Sequence, residues 1–121
     1  MQLLNSFFNI TDRQDRAFDI YLNPEHIIFK AHFPGNPIVP GVCQVQIVGE
    51  LLREIIGRDI YLGEVKNIKY LALMTPTERT DFSVAFQKIN ETENGVKTTV
   101  NIAAEGKTFT KLSLTYSYSA I

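Results

Sequence analysis

The sequence contains few of the residues on which common functional sites depend. It has one cysteine, so no disulfide bond can form within the chain, and this fits a reducing compartment. Beside that cysteine there are only two histidines, and neither they nor the scattered carboxylates follow a metal-ligand spacing, so we expect no metal site. Because no glycine-rich phosphate loop and no nucleophile elbow occurs, the sequence also gives no support for nucleotide use or a serine-hydrolase mechanism.

Concentrated charge and long apolar runs are missing as well. The formal net charge is -1 and the basic residues are scattered, which argues against a nucleic-acid partner because phosphate binding needs concentrated positive charge. No apolar run approaches the roughly 18 residues of a membrane-spanning helix. Residues 1–10 lack the basic start of a signal peptide. We therefore predict a cytoplasmic protein without a membrane span.

Length and composition fit one globular domain over residues 1–121. The chain is 45% apolar and 21% charged, which is ordinary for a folded domain. Apolar residues alternate over residues 17–22 and again over 27–33, and this period of two predicts two strands. In the second run, Ile27, Phe29 and Phe33 are expected on one face.

The apolar period becomes helical after Gly41. Val45, Val48 and Leu52 recur at steps of three and four residues, which predicts an amphipathic helix of about 15 residues with a wide apolar face. Pro40 marks the start of this helix, and Gly57 is expected at its C-terminal end. A helix with so wide an apolar surface is expected to be buried on most sides.

Four strand-like segments follow the helix. They lie at residues 64–73, 82–86, 96–102 and 112–118. Asn94-Gly95 indicates a hairpin between the second and third segments, and Glu105-Gly106 indicates a tight turn between the third and fourth. One buried helix followed by an antiparallel meander predicts an α+β fold, in which the sheet packs around the helix.

Residues 32–42 read His-Phe-Pro-Gly-Asn-Pro-Ile-Val-Pro-Gly-Val, and this run carries a specific resemblance. It is similar to the signature of the 3-hydroxyacyl-(acyl carrier protein) dehydratases of bacterial fatty-acid synthesis. The similarity extends more weakly through residues 64–77. The resemblance implies a hot-dog fold, a dimer or a larger assembly built from dimers, and a substrate held on the phosphopantetheine arm of acyl carrier protein. From the residues we expect no cofactor.

The resemblance also implies roles for residues of this run. His32 carries over as the base that removes the proton beside the thioester carbonyl, a task that suits histidine near neutral pH. Gly41 carries over as backbone of the oxyanion site. The N–H groups of Gly41 and Val42 at the helix start could donate to the developing oxyanion. Phe33 and Pro40 complete the predicted substrate-binding set.

The sequence departs from the family on the helix. The family has a carboxylate five residues after the second Pro-Gly pair, where this chain has Gln46, and Glu50 lies one turn further along the same face. An amide cannot give up a proton at neutral pH. In one hypothesis Glu50 acts as a relay acid for the leaving hydroxyl through a water, and Gln46 positions that hydroxyl as a hydrogen-bond donor. The chain is then a hydro-lyase. In the other, the site binds acyl thioesters but has lost most dehydration activity.

The second hypothesis has two forms. The chain could be a non-catalytic subunit that forms a heterodimer with an active homologue, or it could be a hot-dog thioesterase. Two residues have simpler interpretations: Cys43 is expected to be a buried apolar filler, and His26 an exposed structural residue of a turn. Five basic residues could meet the acidic surface of a carrier protein or could simply be solvated: Lys30, Arg53, Arg58, Lys66 and Lys69.

Overall fold

The computed structural model describes residues 1–31 and 34–120. Within that part of the chain, six strands and two helices are present. The strands are β1 (Phe8–Arg13), β2 (Ala17–Leu22), β3 (Tyr61–Tyr70), β4 (Asp81–Glu91), β5 (Gly95–Ala104) and β6 (Lys107–Ser117). The helices are α1 (Ile27–Ala31) and α2 (Gly41–Ile56).

The strands form one antiparallel sheet in the order β1-β2-β4-β5-β6-β3. Register shifts interrupt the pairing of β1 with β2, of β3 with β6, of β4 with β5 and of β5 with β6, and such bulges bend strands and increase their twist. The sheet curves around α2, which confirms the predicted α+β fold with one long helix held in a sheet.

The alternating side chains of the sheet and the apolar face of α2 share one core. Phe82, Val84 and Phe86 on β4 are buried, and Leu112 and Leu114 on β6 are buried in the same core. From α2 the buried apolar residues are Cys43, Ile47, Val48, Leu51 and Leu52. The alternation over residues 82–86 and 112–114 predicted these buried positions, and the helical period predicted Val48 and Leu52, whereas Val45 is only half-buried.

Helix α2 begins and ends where its sequence predicts. Pro40 is extended, with φ -61° and ψ 147°, and the helix runs for 16 residues from Gly41. Gly57 has φ 77° and donates its N–H to the carbonyl of Arg53, which is the left-handed ending that glycine allows. The β5–β6 hairpin turns at Glu105 and Gly106, with φ 48° and 78°, as the sequence predicts.

The prediction of a strand over residues 27–33 is wrong for its described part, because Ile27–Ala31 form α1. Phe29 is 4% exposed but Ile27 is 72% exposed, so the two do not share a buried face. The Asn23 side chain accepts the Glu25 N–H at 3.0 Å, and this local turn starts the helix. A short alternating run does not by itself distinguish a strand from a helix.

Other features also differ from the sequence-based expectation. Strand β1 was not anticipated, since only its first residue, Phe8, is buried and the rest carries no clear alternation. Strand β3 begins three residues earlier than expected and ends at Tyr70. His26 is half-buried, where the expectation was exposure. Its ring meets Phe7 edge-on at 5.2 Å, and its Nδ1 accepts the Ile28 N–H, so a structural role fits.

Candidate functional site

The start of α2 offers two unpaired backbone donors. The N–H groups of Cys43 and Gln44 donate to the Pro40 carbonyl at 3.0 and 3.1 Å. The N–H groups of Gly41 and Val42 reach no acceptor in the described ranges 1–31 and 34–120, as expected for the first turn of a helix. Two N–H donors are therefore free at the predicted oxyanion site. That they bind an oxyanion stays a prediction.

His32, the predicted base, and Phe33 lie outside the described residues. The nearest described neighbours are Ala31, which ends α1, and Pro34. The segment that leads into α2 is tied down, because the Val39 N–H donates to the Met74 carbonyl at 2.8 Å. The role of His32 as base stays a prediction.

Tyr70, the last residue of β3, stands against the start of the helix. A Cβ built on Gly41 would lie 2.5 Å from the Tyr70 hydroxyl oxygen. Glycine at position 41 therefore allows the tyrosine to approach the helix backbone closely. In the sequence, Tyr70 falls near the family's pattern, and only the structure shows that its hydroxyl lies against Gly41.

Gln44 anchors the same end of the helix from inside the core. Its side chain is 3% exposed, and its Oε1 accepts the Thr110 hydroxyl of β6 at 2.6 Å. Its Nε2 donates to the Val39 carbonyl at 3.3 Å. Gln44 is absent from the site predicted from the sequence, although a polar residue in the middle of an apolar helix face was an available signal. Its bonds fix the first turn of α2 against the sheet.

Gln46 and Glu50 lie together on α2 and hold the N-terminal segment. Glu50 is 8% exposed and accepts the N–H groups of Leu3 and Leu4, both at 2.7 Å. Its Oε2 also accepts the Gln46 Nε2 at 2.8 Å, and that nitrogen donates to the Met1 carbonyl at 2.7 Å. The buried carboxylate thus has the partners that burial requires, and they are backbone groups of the first four residues.

The hydrogen bonds of the Gln46 amide nitrogen decide whether it can act as the expected positioning donor. An amide nitrogen carries two N–H bonds, and both are used by Glu50 and Met1. In the described chain, Gln46 therefore has no free donor for a substrate hydroxyl. The role of donor does not fit, and the group that remains is its Oε1, which can only accept.

A cavity of about 350 Å³ lies between this face of α2 and the start of β3. It is lined by Val45, Gln46, Gly49, Glu50, Arg53, Ile60, Tyr61, Leu62 and Tyr116. The hydroxyl of Tyr116 is buried and finds no hydrogen-bond partner among the described residues. A Cβ on Gly49 would lie 3.4 Å from this oxygen. Both predicted helix residues, Gln46 and Glu50, therefore border one cavity.

Burial sets the protonation of two groups near the helix. Burial raises the pKa of Tyr116 well above its usual range, and the nearby Arg53 opposes that rise only partly, so the phenol stays neutral. Burial also raises the pKa of the Cys43 thiol. A buried, protonated thiol is a poor nucleophile, so Cys43 fits the expected role of a filler.

The five basic residues are all exposed, but two of them have partners. The Arg53 guanidinium donates to the Ile60 carbonyl at 2.8 Å, and Arg58 stacks over the Tyr118 ring at 3.7 Å. Among the described residues, no cluster of three or more potential metal ligands occurs. None of the described helices has the length and apolar character needed to cross a bilayer.

A curved antiparallel sheet around one long helix is the hot-dog fold, and solved structures share it. The dehydratase heterocomplex ApeI:P from Xenorhabdus doucetiae is similar, with TM-score 0.60 and 19% identity over 88% of this chain and 91% of that one. A thioesterase described as putative, from Shewanella oneidensis, is similar with TM-score 0.59 and 16% identity over 94% and 85%. Likeness at this identity shows the fold alone.

A family model described as ApeI dehydratase matches residues 9–112. The chain belongs to this ApeI-like dehydratase family, which confirms the resemblance carried by residues 32–42. It is 31% identical over 78 residues to the 3-hydroxyacyl-(acyl-carrier-protein) dehydratase FabZ of Ligilactobacillus salivarius (strain UCC118), over 59% of this chain and 54% of that protein. The Enterococcus faecalis (strain V583) FabZ is 25% identical over 96 residues, over 74% and 67%. The chain spans about half the length of the Ligilactobacillus salivarius relative and two thirds of the Enterococcus faecalis one.

Proposed function

We propose that this chain eliminates water from a 3-hydroxyacyl thioester carried by acyl carrier protein. The observation that carries the proposal is the pair of unpaired N–H groups at Gly41 and Val42, directly after the motif that contains His32. Membership of the dehydratase family supports the same chemistry. An oxyanion needs preorganised donors of this kind.

In the proposed reaction His32 removes the proton from the carbon beside the thioester carbonyl. The carbonyl oxygen becomes negative and is stabilised by the N–H groups of Gly41 and Val42, helped by the dipole of α2. The double bond then forms as the bond to the 3-hydroxyl breaks. The proton that His32 took leaves with this hydroxyl as water. Phe33 and Pro40 would border the thioester in this arrangement.

Gln46 and Glu50 supply no obvious acid for the leaving hydroxyl. Gln46 has no acidic proton, and Glu50 already accepts three N–H bonds. Glu50 could pass a proton to the leaving hydroxyl only through a water. We therefore propose that its main role is to hold Gln46 and the N-terminal segment. Losing a general acid costs about 10²- to 10⁴-fold in rate, and we expect a slow dehydratase.

We further propose that the active unit is a dimer formed along β3. Among residues 1–31 and 34–120, this strand lies at the edge of the sheet and pairs only with β6. It exposes apolar side chains: Tyr61 39%, Leu62 46% and Val65 46%. Exposed apolar edge strands are unusual unless another chain covers them. Because the cavity beside Gln46 opens at the start of β3, a second chain there would complete it.

The partner in this dimer is a second copy or a homologue. A related solved structure is a dehydratase heterocomplex, which supports a homologue as the partner. In that arrangement this chain would be an acyl-binding subunit and the homologue would be active. Acyl carrier protein would dock on exposed basic residues near the site, with Lys30, Lys66 and Lys69 as candidates. A role in acyl-chain synthesis and the free thiol of Cys43 both support a cytoplasmic location.

The test is a dehydration assay with 3-hydroxyacyl carrier protein, following the enoyl product by absorbance and mass. Wild type is expected to turn over slowly and His32→Ala to be inactive while still binding the acyl chain. Equal inactivity of both, with binding retained, would reject catalysis and favour the non-catalytic subunit. Release of free carrier thiol from a saturated acyl thioester would instead identify a thioesterase, the activity attributed to one structural neighbour.

A further inference from the structure

We propose that a second copy of this chain packs against the outer face of the sheet, which is the face turned away from α2. Two pairs of exposed side chains on this face carry opposite charge: the aspartate pair, Asp12 and Asp19, and the lysine pair, Lys69 and Lys111. The contact is separate from the proposed dimer along β3 and does not depend on the proposed function.

Each pair sets two like charges directly opposite each other on neighbouring strands. Asp12 of β1 pairs with Asp19 of β2, and Lys69 of β3 pairs with Lys111 of β6. Like charges in such positions destabilise a sheet. Among residues 1–31 and 34–120, none of the four forms an ion pair, although the Asp19 carboxylate accepts the Ser83 hydroxyl at 2.6 Å. An opposite charge brought by a partner would therefore relieve either repulsion.

Both pairs point away from the core, because side chains alternate along a strand. Phe18 and Ile20, on either side of Asp19, are buried, and so is Leu112, which follows Lys111. Residues that lie directly opposite each other share a face, so the other member of each pair points outward too.

The strand order makes the outer face complementary to itself. In the order β1-β2-β4-β5-β6-β3, the aspartate pair lies on the first two strands and the lysine pair on the last two. A twofold axis along the strands, between β4 and β5, exchanges these ends and sets each aspartate pair against the other copy's lysine pair. Such an isologous contact uses the same patch on both copies.

The two pairs lie at similar heights along the strands. Lys111 is level with Asn101, Ala85 and Ala17 through successive strand pairings. Asp19 lies two residues beyond Ala17, which is about 7 Å, and the flexible stem of lysine can span that distance. The ion pairs between the two copies are therefore within reach.

The centre of the outer face allows a second sheet to approach. Ser83 and Ala85 of β4 lie opposite Ala103 and Asn101 of β5, and these short, half-buried side chains suit the spacing of about 10 Å between packed sheets. Because the sheet curves around α2, its outer face is convex. The contact is therefore centred on β4 and β5, and the charged pairs meet at its rim.

Two more lysines limit the strength of this contact. Lys88 and Lys97 line the same face further along β4 and β5, and the twofold axis brings them near their own copies. The ion pairs at the rim are exposed, so salt screens them. We therefore expect a weak association that needs high protein concentration and low salt.

Sedimentation velocity of the wild-type chain in about 10 mM and about 1 M salt tests the contact, since the screening length is about 30 Å in the first and about 3 Å in the second. At high protein concentration the average mass should double in the low salt. Reversing the lysine pair (Lys69→Asp with Lys111→Asp) or the aspartate pair (Asp12→Lys with Asp19→Lys) removes the ion pairs and should weaken association about tenfold or more. The four changes together keep the net charge at -1 and should restore association.

The matched control is Lys30→Asp with Arg58→Asp, which changes the net charge as much as the lysine reversal, although neither residue belongs to a strand. Mixed with the aspartate reversal, the lysine reversal should associate and this control should not. Equal association of the two mixtures would refute a specific contact.

The other outcomes are equally decisive. No doubling of mass in low salt would refute the contact and leave a different, acidic partner for the lysine pair. Equal association of wild type and both reversals, or failure of the fourfold variant to associate, would refute the charge complementarity. If one reversal fails to fold by circular dichroism, the other reversal decides.

Discussion

Replacing Glu50 by alanine removes the acceptor that holds the N-terminal segment on α2. The carboxylate accepts the N–H groups of Leu3 and Leu4 and the Nε2 of Gln46. Leu3 is 2% exposed and Leu4 is half-buried, so water cannot fully replace the lost bond at Leu3. We expect Glu50→Ala to lower the free energy of unfolding and to loosen the first residues.

The magnitude follows from the burial of these donors. An unpaired buried N–H costs about 1–3 kcal/mol, so we assign about 2 kcal/mol to Leu3 and about 1 kcal/mol to the half-buried Leu4. Gln46 keeps its bond to the Met1 carbonyl and adds little. The total is about 3 kcal/mol, which for a domain of this size lowers Tm by about 12 °C.

Urea and thermal unfolding followed by circular dichroism at pH 7 measure this loss, and hydrogen exchange locates it. The amides of Leu3 and Leu4 should exchange faster in the variant even under native conditions. Glu54→Ala is the matched control, because that exposed carboxylate makes a weak ion pair with Arg13 at 4.0 Å and its loss should cost no more than about 0.5 kcal/mol. A loss from Glu50→Ala as small as the control's, or unchanged exchange at Leu3, would refute the reasoning.

Three further changes test other parts of the structure. Gly41→Ala should lower kcat/KM in the dehydration assay by displacing the Tyr70 ring, since the new Cβ would lie 2.5 Å from its hydroxyl. Adding Tyr70→Phe to Gly41→Ala should restore part of the rate. Full activity of Gly41→Ala would contradict the contact. Tyr116→Phe removes a buried hydroxyl without a described partner and should leave Tm unchanged or raise it slightly. Burial raises the pKa of Tyr116, so the neutral phenol stabilises the fold below about pH 10, and this contribution falls as the pH rises further. In urea titrations at alkaline pH, wild type should therefore lose more stability than Tyr116→Phe. Equal losses in the two proteins would contradict the prediction. Val65→Lys on the exposed edge of β3 should convert the proposed dimer to a monomer in light scattering, and a retained dimer would place the interface elsewhere.

Much of the fold was predictable because its signals are local. The ends of α2 depend on Pro40 and Gly57, each of which acts through its own backbone angles. The β5–β6 turn depends on Gly106 in the same way. Segment 27–31 was mispredicted because five residues carry too few periods to separate strand from helix, and a side-chain turn at Asn23 decided the outcome.

The site was predictable only in its residue types. From the sequence alone, the motif of residues 32–42 indicated the family and the start of the helix, and the helix sequence showed a polar pair, Gln46 and Glu50. The tertiary structure decided what that pair contacts, because the partners of Glu50 lie 46 and 47 residues away in the chain. The contact of Tyr70 with Gly41 is likewise made between distant elements. No local propensity encodes such pairs, since they exist only once the sheet has closed around the helix and brought the chain's first residues onto its face.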